Sequence, residues 1–341
     1  MGMNTFDHPD TDHELVQWRH DPATGLNAFI AIHDRSLGPA IGGCRILPYS
    51  SREAALQDVL RLSRGMTFKC AIAGIPYGGG KAVIIAEPSR DKTTALLHAM
   101  GRFVDDLNGK YITSFDSGTT LADVRTIGEV TPHVGGIADG FDNASQSTAE
   151  GVFTCMAAGW RHLTGADLAG ASVAIQGMGQ VGRRLAALLY QAGARLILSD
   201  VDPLACDGID GEIVAPERIH NADVDIFAPC ALGGVLSRET IPEISARLIC
   251  GGANNQLAAT GDAERIRDRG ILYCPDYLAN AGGIIELHYQ RGGGDRAALH
   301  RHLASLADTL QHVIDEAQES GATTAAVADA IAMRRIGAAR L

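Results

Sequence analysis

Lysine is scarce in this 341-residue chain, where only four of the 29 Lys and Arg residues are lysines: Lys69, Lys81, Lys92 and Lys110. Arginine carries most of the positive charge, so each lysine raises the question of what an arginine could not do there. No basic run is present, and the formal net charge is −11. An acidic chain of this kind is a poor ligand for nucleic acid or an anionic membrane, so we expect neither as a partner.

The chain also lacks paired cysteines, long apolar runs and a secretory leader. Its seven cysteines are scattered singly, without the Cys/His spacing of a zinc site, which predicts reduced thiols and no bound metal. No apolar run approaches the roughly 18 residues that a membrane span requires. The first residues, MGMNTFDHPDTDH, are polar and acidic, unlike a secretory signal. We therefore expect a soluble, cytoplasmic protein.

The length predicts two domains, at roughly 150 residues per domain. Residues 1–140 mix helices and short strands, including a predicted helix over 52–66 and a buried strand over 82–85. A Gly-, Asp-, Asn- and Ser-rich stretch at 136–148 is typical of a connection between domains. Over 141–320, short apolar strands alternate with helical segments. This pattern predicts an α/β fold whose second domain is a doubly wound parallel sheet.

A glycine-rich turn in the second domain predicts a dinucleotide site. Residues 177–182 read GMGQVG, between an apolar strand and a helix. Such glycines permit a tight turn, and the helix N-terminus offers free N–H groups to a pyrophosphate. Asp200 ends the next strand, where a carboxylate accepts hydrogen bonds from ribose hydroxyls and repels a 2′-phosphate, so we expect NAD rather than NADP. The expected cofactor residues are Gly177, Gly179, Gln180, Val181, Gly182, Asp200 and Val201.

Two of the four lysines lie close together in the segment MTFKCAIAGIPYGGGKAVII, residues 66–85. The spacing is not that of a phosphate-binding P-loop, because Ala82 follows Lys81. Unlike arginine, lysine can lose its proton when it is desolvated or placed beside another cation. We therefore interpret Lys69 and Lys81 as a titrating amine with a second ammonium nearby. Lys92 and Lys110 have no such context and are predicted to be solvated charges.

The lysine segment resembles the central motif of the amino-acid dehydrogenases that act on glutamate, leucine, valine and phenylalanine. It is most similar to the leucine, valine and phenylalanine branch. The similarity continues through LGPAIGGCR (37–45), YITSFDSGTT (111–120), the fingerprint at 177–182, APCALGG (228–234), GGANNQL (251–257) and YCPDYLANAGG (273–283). It covers nearly the whole chain, and several of these motifs are highly specific.

This resemblance implies an architecture and a reaction. The first domain would bind substrate and mediate homo-oligomerisation, and the second would be a Rossmann domain that binds NAD. Helices within 321–341 would return to the first domain, and the active site would lie in the cleft between the two. The implied reaction converts an L-amino acid, NAD and water reversibly into a 2-oxo acid, ammonia and NADH.

The resemblance also implies roles for particular residues. Lys81 would be the catalytic amine, Lys69 would bind the substrate α-carboxylate, and Asp116 would relay protons to and from the amino group. Other positions that match substrate contacts are Gly42, Asn254 and Asn280. Positions that match cofactor contacts are Arg45, Thr148, Leu232 and Asn255.

The pocket positions of the family predict an aliphatic substrate. Glutamate dehydrogenases carry a lysine for the side-chain carboxylate where this chain has Ile41, so glutamate is disfavoured, since an unpaired buried carboxylate is costly. The other pocket positions are Ser114, Ile284 and Leu287. The last two are bulkier than the valines common in leucine dehydrogenases, which favours leucine, valine or isoleucine.

Three alternative functions differ from this prediction in pocket size or in chemistry. An aromatic amino-acid dehydrogenase, acting on phenylalanine or tryptophan, would share the chemistry and differ in pocket volume. A catalytically silent NAD-binding regulator would share the scaffold, but every predicted catalytic position holds the expected residue type. A 2-hydroxyacid dehydrogenase would need a His/Asp or Arg/His constellation, and no histidine lies in such a motif.

Overall fold

The computed structural model describes residues 3–5, 12–137 and 144–340. Within these ranges the chain divides into two compact units. The first comprises the described part of Met1–Asn143 with Gln290–Gly294 and Ala332–Leu341, and the second comprises Ala144–Tyr289 and Asp295–Ile331. Of the predicted connection at 136–148, residues 138–143 lie outside the described part of the chain.

The first unit is built on a six-stranded mixed sheet. Its strands are β1 (Met3–Thr5), β2 (Leu15–Asp21), β3 (Leu26–Asp34), β4 (Ala40–Leu47), β5 (Gly78–Ile85) and β6 (Tyr111–Phe115), in the order β1-β2-β3-β5-β4-β6. The helices are α1 (Arg52–Ala73), α2 (Pro88–Asp91), α3 (Thr94–Asp105) and α4 (Leu121–Gly128). Strand β4 is parallel to both β5 and β6, whereas β5 is antiparallel to β3.

The lysine segment forms a helix and the strand next to it. The helix predicted over 52–66 extends to Ala73, because Gly65 is tolerated inside α1 and capping occurs at its ends. The Ser51 side chain accepts a hydrogen bond from Ala54 N at one end, and Gly74 N donates to Ala71 O at the other. The strand predicted over 82–85 begins earlier, at Gly78. Lys69 therefore lies in the last turns of α1 and Lys81 in the middle of β5.

The second unit contains a six-stranded parallel sheet. Its strands are β7 (Ser172–Gln176), β8 (Arg195–Ser199), β9 (Glu212–Ile213), β10 (Ile226–Pro229), β11 (Leu248–Ile249) and β12 (Leu272–Tyr273), in the order β12-β11-β10-β7-β8-β9. The first strand of the unit, β7, lies in the middle of the sheet. Later strands are added first on one side of β7 and then on the other, as in the Rossmann fold. The predicted doubly wound parallel sheet is confirmed.

Helices make up most of the remainder of the second unit. They are α5 (Ser145–Thr164), α6 (Gln180–Gln191), α7 (Asp262–Asp268), α8 (Asp276–Ala279), α9 (Gly282–Arg291), α10 (Arg296–Ala304), α11 (Leu306–Ser320) and α12 (Thr324–Ala339). The last residues of α12 belong to the first unit. There, Arg335 Nη1 donates to Ala71 O and Ile72 O, at 2.8 and 2.7 Å, at the end of α1. No helix among the described residues has both the length and the apolar character needed to cross a membrane.

Helix α1 packs directly on β5 because Gly79 has no side chain. A Cβ on Gly79 would lie 2.1 Å from both N and Oγ1 of Thr67 on α1. Real Cβ atoms do not approach this closely, so a larger residue would force the helix off the strand. The contact also fixes the position of α1, which carries Lys69, relative to β5, which carries Lys81.

We expect Gly79→Ala to destabilise the chain by about 1–3 kcal/mol, since overpacking must move α1 relative to β5. Gly65→Ala is the matched control, because a Cβ there meets no atom within 4 Å. In a helix interior this control should stabilise by about 0.5–1 kcal/mol. Urea unfolding of both variants measures the two changes. Equal stability of Gly79→Ala and the native chain would show that α1 and β5 are not packed in this way.

Candidate active site

Lys81 projects from β5 toward the face of the first sheet that α1 covers. In the β3–β5 register Lys81 lies opposite Ala31, which packs with Val59 of α1. Because residues opposite one another project to the same face, the Lys81 side chain lies beneath α1. Only 8% of that side chain is exposed. A buried ammonium requires a partner, and the structure provides one.

The carboxylate of Asp116 is the partner of Lys81 and is shared with a second cation. Asp116 follows β6, and its Oδ2 accepts hydrogen bonds from Lys81 Nζ at 2.7 Å and from Arg45 Nε at 3.0 Å. Arg45 lies opposite Val83, on the same face of the sheet, and its Nη1 donates to Asp58 Oδ2 on α1 at 3.1 Å. The hydroxyl of Tyr49 also donates to Asp58, at 2.7 Å. We call Lys81, Asp116, Arg45 and Asp58 the Asp116 network.

Electrostatics keep Asp116 ionised. Burial alone would raise the pKa of its carboxyl, but the nearby charges of Lys81 and Arg45 outweigh burial and hold that pKa well below its ordinary value. The sequence suggested that a second lysine would be the charged neighbour of Lys81. The structure gives Lys81 an anionic neighbour, so that an amine and a carboxylate share one short hydrogen bond. This arrangement can hold a proton and pass it along the bond.

A tight turn after β6 fixes the backbone of Asp116. Asp116 N donates to Thr119 Oγ1 at 2.8 Å, and the same hydroxyl donates to Cys44 O of β4 at 2.8 Å. Thr119 is 9% exposed. Sequence reasoning missed its role, because the contact depends on the conformation of the turn after β6. Thr119 thus fastens Asp116 to the strand that carries Arg45.

Several predicted substrate residues lie in the same part of the first unit. Ile41 of β4 is opposite Gly79 and fully buried, and Ser114 precedes Asp116 by two residues and is 5% exposed. Lys69 is half-buried on α1, two residues after the Thr67 that contacts Gly79. Gly43 gives Asp116 room, since a Cβ there would lie 2.7 Å from Asp116 Cβ.

Gly42 serves the packing of the sheet. A Cβ on Gly42 would lie 1.8 Å from Gly80 O of β5, so only glycine allows the two strands to approach this closely. The carbonyl of Gly42 accepts a hydrogen bond of 2.7 Å from the buried Tyr111 hydroxyl. The observed role of Gly42 is therefore close approach of backbones, in the immediate surroundings of Lys81.

In the second unit the predicted fingerprint forms the turn between β7 and α6. Gly177 follows β7 with φ of 95°, a conformation that favours glycine, and a Cβ on Gly182 would lie 1.9 Å from Gly177 O. Gly179 starts α6 without a side-chain cap, and a Cβ there would meet nothing within 4 Å. The turn is thus tight on the side of the protein and open where a phosphate would lie.

The loops after the other parallel strands bring more predicted residues to the same edge of the second sheet. Asp200 follows β8, and its Oδ2 accepts a hydrogen bond of 2.6 Å from Met178 N, which ties it to the fingerprint turn. Val201 and Leu232, in the loops after β8 and β10, are 89% and 84% exposed. Both side chains are therefore accessible at this edge of the sheet.

The Asn280 side chain lies at the loop after β11. Its Nδ2 donates to Asn254 Oδ1 at 2.9 Å, whereas its Oδ1 is buried without a hydrogen-bond partner among the described residues. A buried carbonyl oxygen without a partner is costly, so it marks a position where a donor from a ligand would be accommodated. Asn255 adopts φ of 53°, and its carbonyl accepts a hydrogen bond of 2.8 Å from Gly234 N in the loop after β10.

The remaining predicted residues lie around the start of α5 and α9. A Cβ on Gly283 would lie 2.8 Å from Thr148 Oγ1, so α9 begins in contact with α5. Ile284 is half-buried and Leu287 is 6% exposed on α9. Their spacing of three residues places both on one side of the helix. The described residues contain no group of three or more His, Cys, Asp or Glu side chains arranged to hold a metal ion.

Comparison with known families agrees with this geometry. The family model described as "Glu/Leu/Phe/Val dehydrogenase, dimerisation domain" matches residues 14–133. The model described as "Glutamate/Leucine/Phenylalanine/Valine dehydrogenase" matches residues 139–211 and 199–341. The chain belongs to the Glu/Leu/Phe/Val dehydrogenase family. It is therefore an enzyme of the amino-acid dehydrogenase type, as the motifs predicted.

Named relatives of this amino-acid dehydrogenase differ in substrate. L-Tryptophan dehydrogenase from Nostoc punctiforme is 45% identical over 95% of this chain and 93% of its own length. Leucine dehydrogenase from Geobacillus stearothermophilus is 42% identical over 98% and 94%, and phenylalanine dehydrogenase from Caldalkalibacillus thermarum is 39% identical over 98% and 94%. A crystal structure of the Nostoc enzyme matches with a TM-score of 0.83, covering 97% of each chain at 43% identity.

Asp116→Asn should lower the free energy of unfolding by about 3 kcal/mol at neutral pH, since it leaves Lys81 and Arg45 sharing no anion. The folded-state pKa of Asp116 is depressed, so its contribution is complete above about pH 5 and is lost as the pH falls through that pKa. Urea unfolding from pH 3 to 8 should therefore show the stabilities of the native chain and the variant converging below about pH 4.

Asp106→Asn is the control for this series. Asp106 pairs with Arg19 at 2.6 Å but is 45% exposed, so its loss should cost less than about 1 kcal/mol. If Asp116→Asn lowers the free energy of unfolding no more than Asp106→Asn does, the Asp116 network does not stabilise the fold.

Proposed function

We propose that the enzyme catalyses the reversible, NAD-dependent oxidative deamination of a branched-chain L-amino acid. The observation that carries the proposal is the buried Lys81–Asp116 pair, an amine and a carboxylate joined at 2.7 Å. The balanced reaction takes the ammonium form of the amino acid, NAD and water to the 2-oxo acid, ammonium, NADH and a proton. It needs groups that accept and return protons, and the pair provides them.

In this proposal the first unit performs the proton chemistry. Lys69 pairs with the α-carboxylate of the substrate through its ammonium. Asp116 accepts a proton from the substrate ammonium, and Lys81, in its neutral amine form, deprotonates the water that attacks the imine carbon and later returns that proton. As an ammonium, Lys81 also stabilises the negative charge that develops on the carbinolamine oxygen. Arg45, expected from the resemblance to lie near the cofactor, contributes by holding the Asp116 carboxylate.

The second unit would hold the cofactor at the edge of its parallel sheet. When bound, NAD supplies the acceptor for the two electrons that leave the α-carbon. The turn at Gly177, Gly179, Gln180, Val181 and Gly182 would hold the pyrophosphate, and Asp200 the ribose hydroxyls. Thr148, Val201, Leu232 and Asn255 would complete the contacts. The carboxylate of Asp200 also repels a 2′-phosphate, which supports NAD over NADP.

Four side chains support an apolar substrate. Ile41 and Leu287 are buried, Ile284 is half-buried, and Ser114 is small and uncharged. None of these side chains can neutralise a carboxylate, which argues against glutamate. Asn254 and Asn280, joined by their hydrogen bond, would hold the polar end of the substrate. We propose leucine, valine and isoleucine as substrates, and a homo-oligomeric enzyme, since the matched N-terminal family model is described as a dimerisation domain.

A second candidate substrate class is aromatic. Tryptophan and phenylalanine dehydrogenases match this chain over about as much of its length as leucine dehydrogenase does. They would share the Asp116 network and differ in the size of the pocket.

Initial rates across a panel of L-amino acids, each with NAD and NADP, test the proposal. We expect kcat/KM for leucine, valine or isoleucine to exceed that for phenylalanine and tryptophan at least about tenfold, equivalent to about 1.4 kcal/mol. Glutamate should be poorer by about 100-fold or more, given the cost of an unpaired carboxylate. NAD should be preferred over NADP with every substrate.

Each failure of the panel has a separate meaning. A preference for tryptophan or phenylalanine over leucine would replace the aliphatic substrate by the aromatic one. A preference for NADP would contradict the role of Asp200. The absence of turnover with every amino acid would overturn the proposed function.

A further inference from the structure

The loop after Asp116 is held from two sides. Residues 117–120 connect β6 to α4, and on one side they are bonded to β4: Ile46 N donates to Ser117 O at 2.9 Å, and Thr119 Oγ1 donates to Cys44 O. Gly118 has φ of 80°, and a Cβ there would lie 2.1 Å from Ile46 O. The loop is therefore in close contact with the strand that carries Arg45.

On its other side the loop is held by Lys92. Lys92 Nζ donates to Asp123 Oδ2 at 2.8 Å and to Gly118 O at 3.3 Å, and its side chain is only 22% exposed. The sequence predicted a solvated charge at this position, and that prediction is wrong. Lys110, for which the same was predicted, is exposed.

The anion that Lys92 contacts also begins α4. Asp123 Oδ2 accepts from Thr120 N at 2.7 Å and from Thr120 Oγ1 at 2.8 Å, in a capping box that starts the helix. One ammonium thus bridges the loop carbonyl at Gly118 and the first turn of α4. Asp116 and Thr120 are the two ends of the segment that this bridge restrains.

We propose that Lys92 is a positioning residue for the amino-acid dehydrogenase reaction, which holds the 117–120 loop so that the Asp116 carboxylate meets Lys81 and Arg45. This inference rests on the proposed proton-relay role of Asp116. The link is direct along the chain, because Asp116 N is bonded to Thr119 Oγ1, next to the Gly118 carbonyl that Lys92 contacts. A compact ammonium donates in separate directions to a carbonyl and a carboxylate, whereas a planar guanidinium donates in one fork.

A double-mutant cycle of Lys92→Met and Asp116→Asn tests this proposal. Misplacing a catalytic group is costly, so we expect Lys92→Met to lower kcat about tenfold while KM for the amino acid changes less than about twofold. In the Asp116→Asn background, assayed at high enzyme concentration, Lys92→Met should change kcat less than about twofold. Lys92→Arg should recover part of kcat.

The pH profile is a second readout that a merely structural role would not move. If the loop is released, Asp116 moves away from its two cations and its pKa rises toward the ordinary value. The acid limb of kcat/KM against pH should therefore shift to higher pH in Lys92→Met. The more conservative Lys92→Arg should show the same shift to a smaller extent. It replaces Lys92→Met in this test if the methionine variant does not fold.

Arg19→Met is the matched control, because Arg19 is a largely buried cation of the first unit that pairs with Asp106, on α3's C-terminal side, rather than with Asp123. It should keep the native kcat and acid limb. The proposal is overturned if folded Lys92 variants keep the native kcat and the native acid limb. It is also overturned if Lys92→Met lowers kcat as much in the Asp116→Asn background as in the native chain. Native kcat in Asp116→Asn alone would instead refute the proposed role of Asp116.

Discussion

Two cations converge on one oxygen of the Asp116 carboxylate, and much of the first unit is arranged around that contact. Lys81 and Arg45 lie on neighbouring strands β5 and β4, and Asp116 follows β6 on the other side of β4. Their charges offset the cost of burying the carboxylate and keep it ionised. Gly42 allows β4 to approach β5, Gly43 leaves room for Asp116, and Gly79 allows α1 to pack on β5. Asp58 then connects the Asp116 network to α1, the helix that bears Lys69.

The second unit presents backbone donors and a few polar side chains at one edge of its parallel sheet. The loops after β7, β8, β10 and β11 contact one another through backbone and short side chains, as in the bond between Asp200 and Met178 N. The open space at Gly179 and the exposed Val201 and Leu232 leave this edge accessible. In the proposed reaction the first arrangement would move protons and the second would hold the electron acceptor.

The sequence predicted the fold class because strand and helix periodicity is strong in the second unit, and the family resemblance implied that Lys81 and Asp116 belong to one site. It could not predict partners that depend on register. The contact between Arg45 and Asp116 was not predicted, because it follows from the position of Arg45 opposite Val83. Lys92 was expected in solvent, yet it contacts Gly118 O, 26 residues away along the chain. Gly65 suggested that the helix ends near residue 66. The helix α1 continues to Ala73, because the caps at Ser51 and Gly74 determine where it begins and ends.

The central claim is that Lys81, held by Asp116, is the proton-transferring amine, and Lys81→Met tests it most directly. With a substrate from the amino-acid panel, we predict a loss in kcat of about 10²–10⁴-fold, the usual contribution of a general acid–base group. The Kd for NADH, measured by fluorescence titration, should change less than about threefold. Lys110→Met, which removes an exposed lysine of the same unit, should leave both unchanged. Retention of native kcat by Lys81→Met would contradict the account.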